Sequence, residues 1–251
     1  MIEGYTQRKF RAVLPDGHAV IHDVYTQGAG PVVMIMQELP GIGPETLRLA
    51  DEFVQEGFTV VLPHLFGPLG KTALLTNGLR MLCMRREFKI FEKGGTSPAV
   101  AWLRALCRDL NVTHEVEGVA VIGMCLTGNF AMSLMADEAV LAGVASQPSL
   151  PILASDGLHL SEAAIAQLRQ RLETHGPMRA YRFAGDTLCT AEKFDRIEET
   201  FNGDRTRVQL KTLPGKGHAV LTLDFVDEVG HPTRQALDEV LSYFRKALKP
   251  N

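Results

Sequence analysis

Apolar and polar positions along this chain switch repeatedly between strand-like runs and helical spacing. Lys9–Leu14 and Ala19–Tyr25 are strand-like and flank the turn signal Pro15-Asp16-Gly17-His18, which predicts an antiparallel hairpin. Pro31–Met36 contains the unbroken apolar run VVMIM, as a strand covered on both faces would. Pro44–Glu56 reads as a helix, with proline near its start and Gly57 just past its end. Phe58–Leu62 is a second apolar strand, Lys71–Gly94 a mixed, basic and helix-compatible stretch, and Pro98–Leu110 an amphipathic helix with Trp102 and Leu103 on its apolar side. Beyond Val119–Ile122 and the helix that follows it come strands near Leu141–Ser146, Ala180–Ala184 and Arg207–Leu213. Helices are expected over Ser161–Glu173, about Ala191–Phe201 and Thr233–Leu248, the last with Leu237, Val240, Leu241, Phe244 and Leu248 in one stripe. Strands alternating with helices predict an α/β fold: a mostly parallel sheet with helices on both faces, preceded by the antiparallel hairpin. There is no internal repeat, low-complexity segment or linker, so one domain is expected over all 251 residues.

Composition narrows the classes. Hydrophobic residues make up 45% of the chain and charged residues 22%, ample for one large core. The formal net charge of −3 gives no footprint for nucleic acid or an anionic membrane surface. The start, MIEGYTQRKF, has no apolar leader-like run, and no later run is long enough to span a bilayer. Four cysteines without CxxC or Cys/His metal spacing argue against a zinc site and for thiols kept free in a reducing cytoplasm; no cofactor is implied.

The stretch 117–137, EGVAVIGMCLTGNFAMSLMAD, carries the chemistry. An apolar strand runs into Gly123-Met124-Cys125-Leu126-Thr127-Gly128, and a helix-compatible segment follows. This is the pattern of a nucleophile elbow, in which one reactive side chain sits on a strained turn with small neighbours. The helix beyond points its unpaired N–H groups and positive dipole end at that turn, which favours a thiolate and an oxyanion. In an open parallel sheet the site lies beyond the carboxyl ends of the strands. Three more features fall there: Glu38 and Leu39 after VVMIM, Gly185-Asp186 after YRFA, and His218 after RVQLKTL. The chain order Cys125, Asp186, His218 is nucleophile, acid, histidine. Taken singly each has a plainer use, Asp186 as a helix cap and Glu38 as a cap or a lysine partner.

In these motifs the chain resembles the dienelactone hydrolase (carboxymethylenebutenolidase) family of the α/β-hydrolase fold. The resemblance rests on QELPGIG, LADEFVQEGFTVVLPHLFG, GMCLTGN, FAGDTLCT and GKGHAV, and covers about residues 11–243. It implies a triad of Cys125, His218 and Asp186, with Glu38 against the resting thiol controlling its ionisation. It implies an oxyanion hole made by the N–H groups of Leu39 and Leu126. It also implies part of a substrate-carboxylate clamp in Arg80–Arg86, with Arg85 and Arg86 the candidates. The chain departs from the family at Thr127, where glycine is common, at His64, where aspartate is usual, and at Thr222, where the dienelactone enzymes carry an arginine of the clamp.

The expected reaction is attack of the Cys125 thiolate on a small ester or lactone, with His218 protonating the leaving alkoxide and then activating water. The expected partner is that small molecule, with no nucleic acid and no membrane; the oligomeric state is left open. A class I glutamine amidotransferase is disfavoured because Ala219 and Val220 follow His218 where a His-x-Glu pair would be needed. Two alternatives stay open: a catalytically silent small-molecule-binding protein of the same fold, and a thiol redox protein pairing Cys125 with Cys83, Cys107 or Cys189.

Overall fold

The computed structural model describes residues 2–39, 41–67, 69, 97–151 and 157–248. The strands are β1 (Thr6–Val13), β2 (Ala19–Gln27), β3 (Val32–Met36), β4 (Thr59–Pro63), β5 (Val119–Met124), β6 (Val140–Ser146), β7 (Met178–Phe183) and β8 (Val208–Leu213). The helices are α1 (Pro44–Gln55), α2 (Pro98–Thr113), α3 (Gly128–Leu134), α4 (Glu162–His175), α5 (Ala191–Phe201) and α6 (Pro232–Ala247). The stretch expected to be helical at Lys71–Gly94 lies outside the described residues, as do Cys83, Arg80, Arg85 and Arg86.

All eight strands form one sheet in the order β1-β2-β4-β3-β5-β6-β7-β8. The hairpin is antiparallel and joins β4 antiparallel through Val24 and Pro63; from β4 through β8 the pairing is parallel. Parallel order requires cover on both faces, and the period-two alternation of the strands supplies it. On β3, Val32, Met34 and Met36 enter one core with Trp102, Leu106, Phe130 and Ile197, while Val33 and Ile35 enter the other with Phe53, Phe58, Leu237 and Phe244. The apolar stripes read on α2 and α6 are therefore the faces that cover the sheet.

Local signals set the boundaries. Pro44 opens α1, and Gly57, at φ +83°, turns the chain just after it. Ser97 caps α2 by accepting from the Ala99 N–H, and Ser161 caps α4 by accepting from the Ala164 N–H. Ser161 therefore lies just outside the helix it was expected to begin. Strand β4 leads to one side of β3 and β5 begins the other side, so the strand order reverses between β3 and β5. That reversal point is where an open α/β sheet makes a crevice beyond its carboxyl ends.

Candidate active site

Parallel pairing sets Met36 beside Gly123 and Met124 beside Ser146. Glu38 and Leu39 therefore leave β3 next to where Cys125 and Leu126 leave β5, and Gln147 leaves β6 on the other side. The expected elbow is present. Cys125 begins a short 3-10 turn at φ +56°, left-handed backbone that a residue with a Cβ resists. The turn closes so tightly that a Cβ on Gly123 would lie 1.9 Å from the Thr127 carbonyl oxygen, and one on Gly128 would lie 2.8 Å from Pro148 Cα. Both glycines are sterically required. The Cys125 carbonyl accepts from the Ser149 N–H at 3.1 Å, tying the turn to the loop after β6.

His218 and Asp186 come together from separate loops. His218 Nδ1 donates to Asp186 Oδ2 at 2.8 Å, and Asp186 Oδ1 accepts the N–H groups of Leu188 at 2.8 Å and Cys189 at 3.0 Å. Asp186 thus closes its own turn with one oxygen and orients the imidazole with the other; it is not a helix cap, since the N-cap of α5 is Thr190. Arg182 braces the same turn from beneath, donating to the carbonyls of Cys189 at 2.8 Å and Ala184 at 3.1 Å. The histidine loop is stapled by Asp224, whose Oδ2 accepts the N–H groups of His218 at 2.8 Å and Ala219 at 2.9 Å. Arg48 holds the far side of that loop through the Leu221 carbonyl, with its guanidinium 3.9 Å from the centre of the Phe225 ring.

Burial alone lowers the His218 pKa, but the hydrogen bond to Asp186 and the approach of Cys125 outweigh it and raise it to about 10. The Nε2 atom is buried and its geometry toward the sulfur falls short of a hydrogen bond. Cys125 is near enough to favour a charged ring without being aligned for a hydrogen bond to it. Burial pushes the thiols of Cys107 and Cys189 well up, so both stay protonated.

Glu38 is buried at this rim, but both carboxylate oxygens are taken by neutral side chains: Thr222 donates to Oε1 and Gln147 Nε2 donates to Oε2 at 3.0 Å. Burial raises its pKa, against the opposing pull of these two hydrogen bonds and of His218. Gln147 reaches it from left-handed backbone at φ +36° and also accepts from the Ser146 hydroxyl. Sequence reading found Glu38 but neither partner. Gln147 stands 109 positions away and is brought in by the register of β3, β5 and β6; Thr222 stands 184 away and comes in on the histidine loop. Thr222, at the position of the missing arginine, acts here on Glu38. His64, which stands where the family usually has aspartate, has Nε2 3.0 Å from the Gly67 carbonyl oxygen of its own loop. The clamp candidates Arg85 and Arg86 lie outside the described residues.

Among the described residues no group of three or more His, Cys, Asp or Glu side chains is arranged to hold a metal, and no helix is long and apolar enough to cross a membrane. A cavity of about 920 Å³ opens at the opposite end of the sheet, beside Pro31, Thr59, Gly118 and Leu141. That end carries none of Cys125, Asp186 and His218, which gather at the carboxyl rim.

A carboxymethylenebutenolidase of Pseudomonas sp. (strain P51) is 33% identical over 117 residues, 44% of this chain and 47% of that protein, so the match spans about half the length of that relative. An esterase of Pyrococcus furiosus superposes with a TM-score of 0.65 at 14% identity, covering 97% of this chain and 94% of its own. A cold-adapted esterase from an Arctic intertidal metagenomic library gives 0.62 at 15% identity, covering 99% and 96%. At these identities the two structures show the shared α/β-hydrolase fold. The family model for dienelactone hydrolases matches residues 19–248, nearly the whole chain, and this protein belongs to the dienelactone hydrolase family.

Proposed function

We propose that this protein is a carboxylic ester hydrolase that cleaves small esters or lactones through a thioester on Cys125. The observation that carries the reading is the convergence of Asp186, His218 and Cys125: the acid holds the histidine, and the cysteine stands on a strained turn close enough to favour a charged ring. The thiolate of Cys125 attacks the carbonyl carbon and the carbonyl electron pair moves onto oxygen. That oxyanion faces the N–H groups of Leu39 and Leu126. Collapse expels the alkoxide, which takes the proton from His218 Nε2 and leaves a thioester. Neutral His218 then accepts a proton from water, the hydroxide adds to the thioester carbonyl, and the thiolate leaves with the acid as product. The protonated thiols of Cys107 and Cys189 give no support to a redox pair, and the free thiols agree with a reducing, cytoplasmic setting.

The test is a panel of small lactones and activated esters, with the protein quenched in acid during turnover and its peptides weighed. An acyl mass on the peptide bearing Cys125 is expected. Binding without turnover or acylation would mark the silent relative instead.

Glu38 is the modulator in this scheme. A carboxylate near the sulfur opposes the thiolate by like-charge repulsion, and its raised pKa delays that effect to higher pH than an ordinary glutamate would. In Glu38→Gln the amide oxygen still accepts from Gln147, and the NH₂ donates to the Thr222 hydroxyl, which turns to accept. It should alkylate with iodoacetamide about tenfold faster than wild type above the Glu38 pKa and at the same rate below it. Superimposable rate–pH profiles for the two proteins would remove Glu38 from the chemistry.

A further inference from the structure

We propose that the hydroxyl of Thr127 is a positioning strut that sets the spacing between the two halves of the oxyanion hole; the proposal rests on the hydrolase reading above. One half of that hole, Leu126, belongs to the elbow, and the other, Leu39, to the loop after β3. Nothing covalent joins them for nearly ninety residues. Thr127 is wholly buried between them. Its Oγ1 accepts the Met124 N–H at 2.9 Å, which fixes it to the end of β5. The same oxygen lies 3.1 Å from the Gln37 carbonyl oxygen, 3.2 Å from that of Met36 and 3.0 Å from that of Met124. One hydroxyl proton serves one acceptor at a time. Two of the three acceptors belong to the β3 end, so the bond links the elbow to the peptide unit that leads into Glu38 and Leu39.

A hydroxyl is the smallest group that can accept from one strand end and donate to the other at a site this crowded. The Thr127 side chain has no exposed surface there. The bond holds the backbone from which Leu39 points its N–H, and so fixes the distance between two donors that must meet one oxygen. The expected loss on removing the hydroxyl is therefore in stabilisation of the tetrahedral species, with reactivity of the sulfur itself left alone.

The experiment compares wild type, Thr127→Val and Thr127→Ser in three assays. Turnover of p-nitrophenyl acetate reports the whole reaction. Inhibition by acetaldehyde reports the tetrahedral adduct: the thiolate adds to the carbonyl carbon, the electron pair moves to oxygen, and that oxygen takes the proton from His218 to give a hemithioacetal. Iodoacetamide alkylation reports the sulfur alone, because iodide leaves and no oxyanion forms. Valine matches threonine in shape and lacks the hydroxyl. For Thr127→Val, kcat and acetaldehyde affinity should each fall by about tenfold to a hundredfold, with KM and the alkylation rate within about twofold. Thr127→Ser should stay within about threefold of wild type in all three. An unchanged Thr127→Val, or alkylation falling in step with acetaldehyde affinity, overturns the strut. A defective Thr127→Ser in folded protein also overturns it, because the hydroxyl is kept. Wild type that neither turns over esters nor responds to acetaldehyde overturns the hydrolase reading, and the strut with it.

Discussion

Cys125→Ala should lower kcat/KM for a reactive ester by about 10⁴-fold or more while the protein stays folded. In the proposed scheme the sulfur displaces the alkoxide and carries the acyl group until hydroxide removes it, so nothing else in the relay can substitute for it. The structural cost should be small. The side chain is slightly exposed at the floor of the rim, and alanine bears the left-handed φ of +56° no worse than cysteine, since both carry a Cβ. A loss of about 1 kcal/mol in stability, read from a denaturant or thermal melt, is the scale for one buried sulfur. Iodoacetamide on native wild type should label Cys125 and spare Cys107 and Cys189, whose burial holds them as thiols. Activity within tenfold of wild type in Cys125→Ala, or labelling concentrated on another cysteine with activity retained, would remove the nucleophile assignment.

How much of this site could be read from the chain depends on how local each signal is. The elbow is one contiguous stretch. Gly123, Cys125 and Gly128 are dictated by a single turn, so the sequence exposes it. The loops bearing Asp186 and His218 were legible for a different reason: each follows a strand-like run, and a parallel sheet gathers its strand ends at one rim. What stayed hidden acts across the sheet. Gln147 holds Glu38 only because β6 lies beside β5 and β5 beside β3, an order that hydrophobic period does not encode. Arg182 sits inside an apolar strand, and nothing local says that it binds the two carbonyls of the acid turn. Thr222 could be recognised only as a departure; its hydrogen bond to Glu38 needs the histidine loop folded back over β3. Element ends moved by a few residues where a cap or a strand partner decides them. Helix α2 runs to Thr113 and strand β7 begins at Met178.

Asp186→Asn should cost about 10⁴-fold in kcat, almost as much as losing the nucleophile, through the tautomer it imposes on His218. The aspartate Oδ1 is committed to the N–H groups of Leu188 and Cys189, both of which need an acceptor. In the variant the amide oxygen must stay there, which turns the NH₂ group toward His218 Nδ1. A donor at that place forces Nδ1 to be an acceptor, so the ring carries its one proton on Nε2 and cannot accept another from water. The sign of the pH effect follows. Wild-type His218 keeps its charge up to about 10 because Asp186 and Cys125 together outweigh burial. With Asp186 neutralised, burial regains weight and the imidazolium is lost at lower pH. The basic limb of the kcat/KM profile should shift downward, and iodoacetamide alkylation near neutrality should slow, since the imidazolium partner of the thiolate is gone. His218→Ala should lose about as much rate as the double change with Cys125→Ala, because members of one relay do not act additively. Asp186→Asn with an unmoved basic limb and a rate within tenfold of wild type would mean that the carboxylate serves only its turn.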